Sequence, residues 1–307
     1  MRYRESGSLD TSGVRDTRGR GGGRAGGARG LAVGGGGLGL VGLVVVVLLQ
    51  VLGGGDGGTT AALGTLSGLG QDQSVDNATL EQNCRTGADA NASVECAVVA
   101  DVESIQDYWS GLLGGQYAET ETVFFTGSVQ TSGGGATSGS GPFYCPADQL
   151  VYIDLTFFDQ LREQFGARGG SFVDAYVIAH EYGHHVQNLL GFNARVTPGE
   201  TGPTSGTVRL ELQADCFAGA WANHAETVPD DSGEPLIADI TDDDIDRALD
   251  AAARIGDDYI QENLGDGRVD QEAFTHGSSE QRQRWFRTGY ETGDPSACDT
   301  FATDDLG

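Results

Sequence analysis

Three of the chain's five histidines fall within six residues, in Val177-Ile178-Ala179-His180-Glu181-Tyr182-Gly183-His184-His185. On a helix, His180 and His184 project from one face, a turn apart. Two zinc ligands need that placement, and Glu181 beside them can serve a metal-activated water as general base. A catalytic zinc site also needs a third protein ligand and one open position. Arg209-Leu210-Glu211-Leu212-Gln213-Ala214-Asp215 offers the ligand, because Glu211 and Asp215 again share a helical face. We expect Zn2+ held by His180, His184 and Glu211. Asp215 is expected to accept a hydrogen bond from the far nitrogen of a ligating histidine and fix its tautomer. His185 lies about 100° around the helix from His184, so packing or support is its expected role. His224, near a helix C-terminus, reads as a surface residue complementing the helix dipole.

These side chains need two helices. The first is expected from Ser171, with Asp174 three residues on resembling a capping box, to a stop at Gly191; the second covers about 208–225. Upstream, 94–113 has amphipathic helical spacing, 121–131 and 150–155 read as strands, and 156–165 reads as a short helix. A Gly/Ser loop is expected over 132–141. Downstream, Thr241 with Asp244 caps a helix reaching about Asn263, and Ser278 with Gln281 caps a last one reaching about Tyr290. Strands come first and helices dominate afterwards, so the expected class is α+β, mainly helical with a small sheet, over a domain at 81–307. The strand at 150–155 reads either as a core strand or as an edge along which an extended peptide pairs.

The 307 residues carry a formal charge of −27, and all 18 basic residues are Arg. That balance argues against nucleic acid as a partner, because binding it needs cations to displace phosphate counterions. Seven arginines and three acids lie in residues 1–55, leaving 11 arginines against 42 acids beyond them. Residues 1–30 read as an Arg/Gly-rich cytoplasmic tail. Residues 31–52 hold no charge and are long enough for a single transmembrane anchor, and 53–80 read as a linker. The charge bias orients such an anchor with its N-terminus cytoplasmic and the domain extracytoplasmic. A cleaved signal peptide is the other reading of the apolar run. Export permits disulfides, and Cys84 with Cys96 is the expected pair among five cysteines; Cys216 is expected to be a buried free thiol.

Four stretches resemble the bacterial neutral zinc metallopeptidases: Gly141-Pro142-Phe143-Tyr144-Cys145-Pro146, the span 176–191, the span 209–221, and 274–293 with Thr275-His276-Gly277-Ser278-Ser279. The resemblance covers roughly 95–303. It implies a zincin-like fold, a membrane-anchored external domain, His180, His184 and Glu211 as ligands and Glu181 as catalyst. Relatives often carry a cysteine before the Gly-Pro-Phe-Tyr-Cys stretch, where this chain has Ser132-Gly133-Gly134-Gly135. A local bridge to Cys145 is therefore not expected, and Cys298 is an alternative partner. In the Thr-His-Gly-Ser-Ser stretch, His276 either stabilises the oxyanion of a tetrahedral intermediate or packs against the last helix. The expected function is zinc-dependent endopeptidase action on peptides or proteins outside the cytoplasmic membrane. The alternatives are a non-proteolytic zinc-containing envelope binding module and a hydrolase of non-peptide amides. No feature specifies an oligomeric state.

Overall fold

The structure, a computed structural model, describes residues 1–18, 77–230 and 232–307. In chain order the strands are β1 (Arg2–Tyr3), β2 (Val14–Asp16), β3 (Thr122–Phe124), β4 (Ser128–Thr131), β5 (Gly134–Thr137), β6 (Phe143–Cys145), β7 (Leu150–Ile153) and β8 (Ile237–Asp239). The helices are α1 (Ala78–Asn83), α2 (Gly87–Ala90), α3 (Val94–Leu113), α4 (Phe157–Glu163), α5 (Ser171–Leu190), α6 (Gly206–His224), α7 (Asp242–Arg254), α8 (Asp257–Asn263) and α9 (Ser279–Thr292). Helices thus dominate a mixed α/β domain.

Strand order in the main sheet is β2-β3-β7-β6, with β2, β3 and β7 parallel and β6 antiparallel at one edge. Side chains alternate across a strand, so β3 serves two cores. Phe124 joins the helical core, while Val123 joins Phe125, Val129, Phe143 and Tyr152 on the opposite face. The hairpin of β4 and β5 covers that second face. It turns at Ser132-Gly133 with Thr131 opposite Gly134, so the expected Gly/Ser loop is partly strand. β7 lies between β3 and β6, which makes it a core strand rather than a receiving edge.

α5 runs through the helical core, packed against α3, α6 and α7. Its cap is Gly170, so Ser171 is its first residue and the expected Ser171–Asp174 capping box does not form. The helix expected over 241–263 is two, because the chain breaks at Ile255-Gly256 before α8 begins. Phe172 stacks on Trp221 at 6.3 Å and meets the edge of Phe286, joining α5 to α6 and α9. Cys84 bridges Cys96 as expected, but Cys216 is not a free thiol. It faces the segment after α9 and bridges Cys298, while Cys145 lies free and buried beside Thr131 on the hairpin side of the sheet.

The anchor expected at 31–52 lies outside the described residues, as does the expected linker up to residue 76. The end of the expected linker, 78–80, belongs instead to α1. Among the described residues, no helix is long and apolar enough to cross a membrane. Residues 1–18, expected in a solvated tail, belong to the domain. β1 pairs with β8, and β2 extends the main sheet. Tyr3 is buried and donates a 2.8 Å hydrogen bond to Asp101 on α3. Burial, then the nearby Asp174, pushes Asp101 well above the usual carboxylate range. Arginines that read as a topology signal meet acids of the domain: Arg4 contacts Asp230 and Glu234, Arg15 contacts Glu121, and Arg18 contacts Glu95.

The segment lies against α2 so closely that a Cβ on Gly87 would overlap the Arg4 carbonyl. Gly111, on α3, faces open space and has nothing within 4 Å of such a Cβ. Gly87→Ala is therefore expected to lower stability by about 1–3 kcal/mol, as overpacking does. Gly111→Ala should cost nothing. Urea midpoints of the two variants check this, and equal midpoints would show that the strap does not pack as described.

Candidate metal centre

A glycine inside the histidine segment brings the two site helices together. Gly183 faces α6, where an added Cβ would sit 3.0 Å from the Ala214 Cα, so any larger residue would push the helices apart. At this separation Glu211, on α6, meets both histidines of α5. Its carboxylate lies 3.2 Å from His180 Nε2 and 3.5 Å from His184 Nε2. One ligand atom from each of His180, His184 and Glu211 lies within 4.8 Å of the others.

Both imidazoles are oriented from behind. His180 Nδ1 lies 2.8 Å from Asp215 Oδ1, and His184 Nδ1 lies 2.9 Å from Gln187 Oε1. A carboxylate and an amide oxygen only accept, so each Nδ1 carries a proton, and each Nε2 is the atom turned toward Glu211 and available to a metal. Two imidazole nitrogens and a carboxylate oxygen converging in this way are a donor set suited to zinc. Gln187 in turn donates to the Leu210 carbonyl, tying α5 to α6 at a second point.

Asp215 has no exposure to solvent. Arg282, on α9, donates to it through Nε at 2.9 Å and Nη2 at 3.0 Å, and Tyr176 donates at 2.6 Å. Burial works against its charge, but Arg282 and His180 outweigh burial and hold Asp215 down at about 2. His180 is raised to about 10: burial opposes its charge, and Asp215 and Glu211 overcome the opposition. Glu211 is lowered well below the usual range, again against burial, by His184 and His180.

Glu181 lines the same cleft and accepts a 2.8 Å hydrogen bond from the Tyr144 backbone N–H of β6. His276 faces the cleft too. Asp257, the first residue of α8, accepts through Oδ2 from the backbone N–H groups of Thr275, His276 and Gly277. Its Oδ1 lies 3.2 Å from His276 Nδ1, and Thr275 Oγ1 is 2.9 Å from the same nitrogen. Burial disfavours a charged His276, yet Asp257 outweighs it and raises the imidazole above its ordinary value.

The structure thus brings together the six residues expected to act at the site: His180, His184, Glu211, Glu181, Asp215 and His276. His185 packs between Tyr144 and the Ala118 carbonyl, away from the triad's donor set. His224 is only partly exposed, stacking near Tyr108 with its Nε2 by the Gly293 carbonyl. Sequence reasoning missed Arg282, Tyr176, Asp257, Gln187 and the Tyr144 N–H. Gln187 had a readable signal, one turn past His184. The others act across 18 to 67 residues of separation or through backbone, where spacing carries no message.

A family model described as "Putative neutral zinc metallopeptidase" matches residues 1–301, so the match includes the N-terminal segment that packs on the domain. An uncharacterised protein of Mycobacterium tuberculosis is 52% identical over 225 residues, covering 73% of this chain and 76% of the relative. The uncharacterised protein YpfJ of Escherichia coli is 36% identical over 303 residues, covering 97% and 98%. No solved structure matches the chain.

Removing Arg282 would leave Asp215 buried without its cation and loosen the hold on His180. Arg282→Gln is expected to weaken zinc binding about 10- to 100-fold, the usual cost of losing such support. Competition with a chelating fluorophore measures it. Unchanged affinity in a folded variant would remove Arg282 from the support of the site.

Proposed function

Because the chain belongs to the neutral zinc metallopeptidase family, we propose that it is a zinc-dependent endopeptidase with a zincin-like active site. The observation that carries this reading is the convergence of His180, His184 and Glu211 beside Glu181 in an open cleft. Three protein donors suit a catalytic site, whereas a closed structural site takes four. A binding module that kept zinc only for stability would have no use for Glu181 in that cleft.

Bound zinc would polarise the scissile carbonyl and lower the pKa of water to about 7. The chain's own residues do the rest. Glu181 takes a proton from the attacking water as its oxygen bonds to the carbonyl carbon. The Tyr144 N–H keeps one carboxylate oxygen placed for this. As the C–N bond breaks, Glu181 delivers the proton to the leaving amine. Asp257 favours the charged form of His276, in which Nδ1 is engaged by Asp257 and Thr275 and Nε2–H is a hydrogen-bond donor for the oxyanion.

The compartment is part of the proposal. Two disulfides support an oxidising, extracytoplasmic environment for the domain. Residues 1–18 pair with strands of that domain, so we place them in the same compartment, although the charge bias alone would put the N-terminus on the other side. A membrane-impermeant maleimide applied to spheroplasts should label both Ser6→Cys and Asp304→Cys. Labelling of Asp304→Cys alone would separate the two ends.

The activity is tested with the zinc-loaded full chain and a diverse peptide mixture read by mass spectrometry. Glu181→Gln should retain zinc and lose cleavage by about 1,000-fold or more, and His276→Gln should lose about 100- to 1,000-fold in kcat. No cleavage by zinc-loaded wild type would sink the peptidase reading, and cleavage of amide-bearing envelope polymers instead would establish the non-peptide hydrolase.

A further inference from the structure

Beside the metal triad, the cleft has a wall with no counterpart in the chemistry above. Phe157 of α4, Phe165 just after it, Val177 of α5, and Ile255 and Ile260 around the start of α8 line it. Phe157, Ile255 and Ile260 are only half-buried, so apolar surface is left facing the cleft. Val177 stands four residues before Glu181, one helical turn away on the same face. The whole cleft, triad included, encloses about 200 Å3, below the range of drug-sized pockets. Other polar groups line the cleft, Ser140, Asn193 and Thr207 among them, but none belongs to these five side chains. A charged or amide side chain placed against the five-residue wall would lose its hydration with nothing to replace it.

The edge of the sheet bears on the same space. The Tyr144 N–H points to Glu181, away from β7, and in an antiparallel strand the carbonyl of the same residue points the same way. The neighbouring outward positions on that edge, Pro142 and Pro146, have no N–H. The edge therefore offers an extended chain a carbonyl acceptor and no spare donor.

We infer that this wall is a specificity subsite, which takes a large apolar side chain next to the scissile bond of a peptide whose backbone donates to the Tyr144 carbonyl. The inference rests on the endopeptidase reading for the word scissile, but the subsite is a binding property and is testable without turnover. Charge at the central position of the substrate is excluded by the wall, and aromatic or branched aliphatic residues are selected.

The probe is a panel of fluorescent decapeptides, identical except for a central Phe, Leu, Ala, Asp or Lys, titrated by anisotropy into the zinc-loaded full chain carrying Glu181→Gln. Phe and Leu peptides should bind about tenfold or more tightly than Asp and Lys peptides, as burial of such a side chain predicts. Ile260→Asp should erase the difference. Phe157→Ser, at another half-buried position, provides a second reading should the first variant fail to fold. Equal affinities across the panel, no binding at all, or a preference that survives in both folded variants would overturn the subsite. Cleavage of the same panel by wild type tests the reaction separately: a preference in binding without any cleavage would overturn the peptidase reading and leave the subsite standing.

Discussion

A carboxylate with no exposure to solvent must find its counter-charge and its hydrogen bonds inside the protein, and much of this domain is arranged to supply them to Asp215. Arg282 reaches it from α9, Tyr176 from α5, and His180 is held by it in turn. Such a buried pair is weak evidence of net stability, because desolvation offsets much of the attraction. Its value lies in geometry. Asp215 can satisfy its partners only when α5, α6 and α9 stand in one relative arrangement. In that arrangement His180 Nε2 and His184 Nε2 converge on Glu211. The site is thus specified by a charge that would be costly to leave unpaired.

The same reasoning separates what was legible in sequence from what was not. His180, His184, Glu181, Glu211 and Asp215 lie within single turns of two helices, and helical periodicity places residues four apart on one face without knowledge of the fold. Arg282 stands 67 residues from Asp215 and Asp257 stands 19 from His276, so only tertiary structure brings them together. Cys216 was misread for the same reason: its partner is 82 residues away. Strand β6 escaped notice because three residues flanked by prolines give no alternation to read, although it supplies the N–H that holds Glu181.

The N-terminal segment shows a different failure. Its arginines and glycines have the composition of a solvated tail, and composition was the only signal available. What composition leaves out is the surface those arginines meet. The rest of the chain carries 42 acids against 11 arginines, so a basic strand finds partners readily there. Exposed pairs of this kind contribute little each. The segment is held instead by backbone pairing with β3 and β8, by buried Tyr3, and by the glycine at 87 that lets the chains touch. A match to the family beginning at residue 1 agrees with a segment that is part of the domain.

In small zinc modules the metal supplies folding energy, because the ligands have no other reason to converge. Here they have several. Glu211 is surrounded by two imidazoles, each with its Nδ1 already engaged, and the helices bearing them are packed through Gly183, stacked aromatics and the Cys216–Cys298 bridge. Packing and hydrogen bonds that do not involve a metal hold the donor set in place. Preorganisation of that kind suits the proposed catalytic role, in which the binding energy of a metal would be free to act on water and carbonyl.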